Sequence, residues 1–146
     1  MPERFNSTKT IPYYIILPSM EKRFFTVKEA RQLLPFLKKI VGRAIILSSR
    51  LRERQDVVQS LADSSANNTG SPEGTAYLET LIQLQNCLHQ IQDTGCIIKS
   101  VEEGLVDFPH LKEEREVYLC WKHGEEDIQY WHEIDAGAAG RTPLLE

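Results

Sequence analysis

Long apolar runs are missing from this chain of 146 residues. The nearest, IPYYIILP, is bracketed by Pro12 and Pro18 and falls far short of the roughly 20 residues a membrane span needs. No membrane segment is expected. The opening MPERFNSTKT carries an acid and has neither the apolar core nor the small-residue cleavage pattern of a secretion signal, so a cytoplasmic location is expected. Cysteine is scarce as well. Cys87, Cys96 and Cys120 are an odd, widely spaced set without a CxxC pair, which argues against a disulfide framework and for reduced, buried thiols. No GxSxG elbow occurs, and Ser48, Ser49 and Ser100 have no His nearby in sequence. The glycine-rich stretch Gly137–Gly140 lacks the following Lys-Ser/Thr of a phosphate loop. Nucleophilic hydrolysis and nucleotide binding thus lack sequence support.

What is present describes one ordinary globular domain, with 41% hydrophobic and 26% charged residues. The net charge of -4 is unevenly spread: eight basic and three acidic groups over residues 27–62, then none and four over residues 63–94, then five and twelve over residues 95–146. A modestly basic segment precedes two acidic ones. Charges facing one another within a fold explain this better than a nucleic-acid surface, and no nucleic-acid partner is expected.

Thr26-Val-Lys-Glu29 has the form of a capping box, so a helix should begin at Val27. Pro35 should end or kink it near Leu34, with a second helix starting there. Leu37, Ile40, Ala44, Leu47, Leu51, Val58 and Leu61 then recur at spacings of three and four, with Arg54 out of character. SSANNTGSPEG, from Ser64 to Gly74, reads as an exposed connection. Tyr77, Leu81, Leu84, Leu88 and Ile91 repeat the spacing as far as Gly95. An antiparallel helical hairpin over residues 26–94 follows. Two helices alone cover both stripes poorly, so pairing with a second copy or another protein through the helices is an expectation.

Beyond Gly95 the period shortens. Cys96–Lys99 and Leu105–Phe108, the latter ended by Pro109, read as strands; EVYLCWK and DIQYWHEI read as two more, around His123–Glu126. The expected fold is α+β: a long antiparallel helical hairpin, then a small, mainly antiparallel β module over residues 95–135, with a tail over residues 136–146. Residues 23–146 would form one domain and residues 1–22 an extension.

FFTVKEARQLLPFL, GLVDFP, VYLCWKHGE, IQYWHEIDAG and GRTPL, in this order, resemble domain of unknown function family 2203, a group of small bacterial and archaeal proteins. The resemblance spans roughly residues 23–143. It implies no reaction, because none is established for the family, and no metal role for His123, where members often carry an apolar residue.

The motif CWKHGEEDIQYWHEID invites a metal reading through Cys120, His123, His132 and Asp135. Strand alternation tests it. Pairing Trp121 with Ile128, Leu119 with Tyr130 and Val117 with His132 puts Val117, Leu119, Trp121, Ile128, Tyr130, His132 and Ile134 on a core-facing side. Glu116, Tyr118, Cys120, Lys122, Asp127, Gln129, Trp131 and Glu133 take the other side. In that register Cys120 and His132 face opposite ways, so no metal site and no cofactor are expected. His132 is then the residue of interest: it is expected as a buried imidazole satisfied by a backbone carbonyl or a carboxylate, and the alternative joins it to Asp107 and Arg141. Arg141 either latches the tail through Asp107 or Asp135, or lines a pocket for an anionic ligand with Trp121, Tyr130 and His132. The favoured function is a non-enzymatic interaction or scaffold protein that self-associates through its helices. The alternative is an anionic-ligand-binding or enzymatic domain with a site on the β module, at Asp107, Trp121, Tyr130, His132, Asp135 and Arg141.

Overall fold

The computed structural model describes residues 22–64 and 72–145. Most of the expected N-terminal extension and the centre of the Ser64–Gly74 connection lie outside the described residues.

Helix α1 (Val27–Ser64) starts where the capping box places it. The Glu29 backbone N–H donates to Thr26 Oγ1 and the Thr26 N–H to Glu29 Oε1, each at 3.0 Å, so two orphan donors are satisfied reciprocally. The helix does not end at Pro35, contrary to expectation. It runs on for 38 residues with the proline inside it. Proline removes one intrahelical hydrogen bond, but its ring is exposed while Ala30, Leu34, Leu37 and Val41 on both sides insert into one core. Burial of that continuous face outweighs the lost bond. Helix α2 (Pro72–Asp93) begins with its proline in the first turn, where the missing N–H costs nothing, and is followed by Gly95 at φ 95°. The hairpin packs through Ala44, Leu47 and Cys87, with Ile40 and Leu84 beside them. The Val58 and Leu61 side chains, expected in the α1 stripe, lie outside the described residues.

Five antiparallel strands follow in sequence order across one sheet: β1 (Ile97–Ser100), β2 (Leu105–Lys112), β3 (Arg115–Lys122), β4 (Tyr130–His132) and β5 (Thr142–Pro143). The chain is therefore α+β as expected, with a fifth strand drawn from the tail. Strand β2 does not stop at Pro109. It continues to Lys112, because the Pro109 carbonyl faces the segment before α1, where the Phe25 N–H meets it at 2.7 Å. The N and O of one strand residue point to the same side, so the absent donor of Pro109 faces away from β3 and the β2–β3 ladder loses nothing. No helix among the described residues is long and apolar enough to cross a membrane.

One sheet face meets the helices. Val106, Phe108, Leu119, Trp121 and Ile128 join Phe25, Leu34, Leu37, Val41 and Ile91 in the main core, with Trp131 packed beside them. The opposite face is closed as well: Val106–Pro109 and Val117–Trp121 are buried at every position, so both strands hide the residues of both faces.

Candidate functional site

The β3–β4 connection decides what lies on that second face. Glu125 holds the end of β3, its carboxylate accepting from the Lys122 N–H at 2.8 Å and its carbonyl from Trp121 Nε1 at 3.0 Å. The chain then leaves the sheet for α1. Lys38 Nζ donates to the Glu126 carbonyl and Arg31 to the Ile128 carbonyl, each at 3.0 Å, while Asp127 forms an ion pair with Arg31 at 3.1 Å. Ile128 enters the helix-side core from this excursion instead of pairing in the sheet. Pairing resumes only at Tyr130.

The consequence is a register one residue away from the expected one: Tyr118 lies opposite His132, Leu119 opposite Trp131 and Cys120 opposite Tyr130. Every side chain of β4 changes face relative to expectation. Trp131 turns to the helices, and His132 and Tyr130 turn away from them. Ile134, expected in the core, is about half exposed, and Asp127 pairs with Arg31 of α1. The expectation that Cys120 and His132 face opposite ways is overturned. They share one face with Asp107, which pairs directly with Cys120 across β2 and β3.

There the three side chains converge. His132 Nε2 lies 3.1 Å from both Oδ1 and Oδ2 of Asp107, and one ligand-type atom from each of Asp107, Cys120 and His132 lies within 4.8 Å of the others. Asp107 and His132 are 1% and 2% exposed and Cys120 is fully buried. Burial, reinforced by the Asp107 charge, pushes the Cys120 thiol up to about 12. Cys96, away from this cluster, is pushed up to about 11 by burial, so desolvation alone accounts for much of the effect. The His132 ring is fixed from two sides. Its Nδ1–H donates to the Glu133 carbonyl at 2.7 Å, and the Tyr118 ring meets it edge-on at 5.6 Å. Arg115 pairs with the Glu133 carboxylate and so holds that residue in place.

Arg141 returns to the sheet, and its carboxylate partner is Glu125, at 2.8 Å, rather than Asp107 or Asp135. Its guanidinium lies 4.1 Å over the Tyr130 ring. Burial works to raise the Glu125 carboxyl, but the Arg141 hydrogen bond, the Lys122 N–H and the nearby positive charges outweigh it and hold the group below the usual carboxylate range. Of the six residues singled out by sequence, Asp107 and His132 touch each other, and Tyr130 and Arg141 stack nearby. Trp121 is buried among the helix-side residues and Asp135 is exposed. His123 is also apart, edge-on to Trp121 and close to Gly42 and Gly104. Cys120 is the residue that sequence reasoning set aside. Alternation within β3 held part of its signal, but the register that pairs it with Asp107 is fixed by the Glu113–Glu114 turn, which carries no glycine or asparagine.

A second region stands out for what it leaves uncovered. Among the described side chains, the buried positions of α1 reach only to Leu47 and those of α2 begin only at Cys87. The distal part of the hairpin bears Ile46, Val57, Leu78 and Ile82, each about half exposed.

A capped helical hairpin beside an antiparallel meander, with a buried Asp, Cys and His cluster on the meander's far face, defines an α+β protein with two separate candidate sites. The sequence profile of domain of unknown function family 2203, described as an uncharacterized conserved protein, matches residues 23–144. The chain belongs to that family. No curated protein and no solved structure matches it.

Proposed function

We propose that this chain is an interaction protein that pairs with a second copy of itself through the distal part of its helical hairpin. The observation that carries this reading is the exposure of Ile46, Val57, Leu78 and Ile82 beside seam residues Leu51, Tyr77, Leu81 and Leu84, which are partly covered and not buried. Helix α1 is about 57 Å long at 1.5 Å per residue, and its far part lies beyond Leu47, the last buried position among the described side chains. Among the described residues no third element covers these exposed side chains.

A copy of the chain supplies an occupant of suitable charge: α2, with Glu73, Glu79 and Asp93 and neither Lys nor Arg, meets arginines Arg50, Arg52 and Arg54 of an α1 that also carries Glu53 and Asp56. Among the described residues no ion pair joins the two helices; Arg52 instead meets Glu102. A two-fold arrangement sets each α1 against the partner's α2, pairs opposite charges and closes the stripes into a four-helix bundle.

Native mass measured over a range of concentrations tests the reading. A dimer that Leu78→Glu with Ile82→Glu converts to a folded monomer is the expected result. A wild-type chain that stays monomeric at every concentration would overturn it. A second reading, binding of an anionic ligand on the β module, is favoured by one observation: Arg141 Nε is buried without a hydrogen-bond partner. A thermal-shift screen against small carboxylates and phosphates, repeated with Arg141→Ala, examines it.

A further inference from the structure

We infer that Asp107, Cys120 and His132 form a site for one divalent transition-metal ion of the zinc class. The inference does not depend on self-association, since the cluster lies on the sheet and not on the hairpin.

The first support is the orientation of the imidazole. A carbonyl can only accept, so the contact with Glu133 places a proton on Nδ1 of His132. A neutral ring then turns the lone pair of Nε2 onto both Asp107 oxygens at 3.1 Å, which is repulsive unless a positive charge lies between them. What lies between them is either a proton, on the ring or on the carboxyl, or a metal ion. The equal distances to the two oxygens fit a shared cation as well as they fit a directed hydrogen bond. A metal-bound histidine ordinarily anchors its other nitrogen on a carbonyl or carboxylate, and His132 is anchored in this way.

The second support is dimensional. A tetrahedral ion with bonds of about 2.0–2.1 Å to nitrogen and oxygen sets those donors about 3.3 Å apart, and a thiolate at about 2.3 Å somewhat farther. The separation of 3.1 Å between Nε2 and the carboxylate is within a few tenths of an ångström of this geometry, and the Cys120 sulfur, inside the 4.8 Å limit that contains all three donors, closes on the ion by a side-chain movement on the order of an ångström at most. Imidazole, thiolate and carboxylate together select zinc-like ions over magnesium or calcium, which prefer oxygen donors alone.

The third support is charge balance in a closed site. One divalent cation displaces the proton on Cys120 Sγ and any proton held between His132 and Asp107, and these leave to solvent. The ion, the Asp107 carboxylate, the Cys120 thiolate and a neutral His132 then sum to zero. The loaded cluster therefore leaves no net charge in a region that is at most 2% exposed. Three protein donors leave a fourth position for a small ligand such as water.

Titration of the chelator-treated full-length chain with Co2+, followed by absorbance, tests the site. The expected result is a thiolate-to-cobalt charge-transfer band that saturates at one equivalent and is bleached by Zn2+. Cys120→Ser removes the band and weakens binding at least about 100-fold, while Cys96→Ser keeps both. A folded wild-type chain that shows no such band overturns the inference, and so does a band that survives Cys120→Ser. If Cys120→Ser fails to fold, the wild-type titration with Zn2+ competition decides, and His132→Gln supplies the second variant.

Discussion

Arg141 bridges Glu125 and Tyr130, donating to the carboxylate at 2.8 Å while its guanidinium covers the aromatic ring. Its side chain is 19% exposed and that of Glu125 is 23%, so solvent screens the pair only in part. Truncation removes an ion pair and a stacking contact together. It also frees the residue that leads into β5. Arg141→Ala is expected to cost about 1–3 kcal/mol, a fall of roughly 3–10 °C in melting temperature. Arg141→Lys should recover only part of this, because an ammonium lacks the planar fork and stacks less well. An unchanged melting curve for the alanine variant would remove the latch.

The same pair sets a pH dependence. The Glu125 carboxyl is held below its ordinary value of 4.5, so the folded state binds its proton more weakly than the unfolded state does. The associated stability is fully present above about pH 5 and is lost as the pH falls through the lower folded value. Glu125→Gln should therefore be less stable than the wild type at pH 7 and approach it near pH 3. Urea midpoints at the two pH values provide the check; a gap that does not narrow in acid would contradict the assignment.

Gly104 is where the β1–β2 turn, α1 and the end of β3 meet. Its φ is +65°, and a Cβ there would lie 2.5 Å from His123 Cβ and 3.0 Å from Ile45 Cδ1. Its backbone also accepts the His123 N–H at 2.9 Å, so the turn cannot simply move away. Gly104→Ala is expected to destabilise by about 2–4 kcal/mol through left-handed strain and overpacking combined. Chemical denaturation measures it, and a loss below half a kcal/mol would show the contact to be soft.

Glu113 and Glu114 form the two-residue turn between β2 and β3, with φ values of 52° and 68°. Both central residues of such a turn take positive φ, a conformation that suits Asn-Gly and strains glutamate. Two like charges also sit side by side. Replacing the pair by Asn-Gly should stabilise the chain by about 1–2 kcal/mol without altering the sheet. A lower denaturation midpoint would show that the turn's glutamates make compensating interactions.

The helix start at Thr26, the apolar stripes and the switch to strands after Gly95 were all legible, because each rests on local spacing or local capping chemistry. Pro35 and Pro109 misled for a common reason. Each was judged by the hydrogen bond it lacks, whereas Pro35 lies in a helix held by Leu34 and Leu37, and Pro109 turns its missing donor away from β3. The Glu113–Glu114 turn carries no glycine or asparagine and so gave no turn signal.

Local pattern by itself determined that this chain is a capped helical hairpin followed by antiparallel strands, since propensity and apolar period act within a few residues. The tertiary structure decided the partners of His132. Arg31 and Lys38, far away in sequence, draw residues 126–128 out of the sheet. Because side chains alternate with a period of two, that excursion moves His132 by one register step to the face of Asp107 and Cys120.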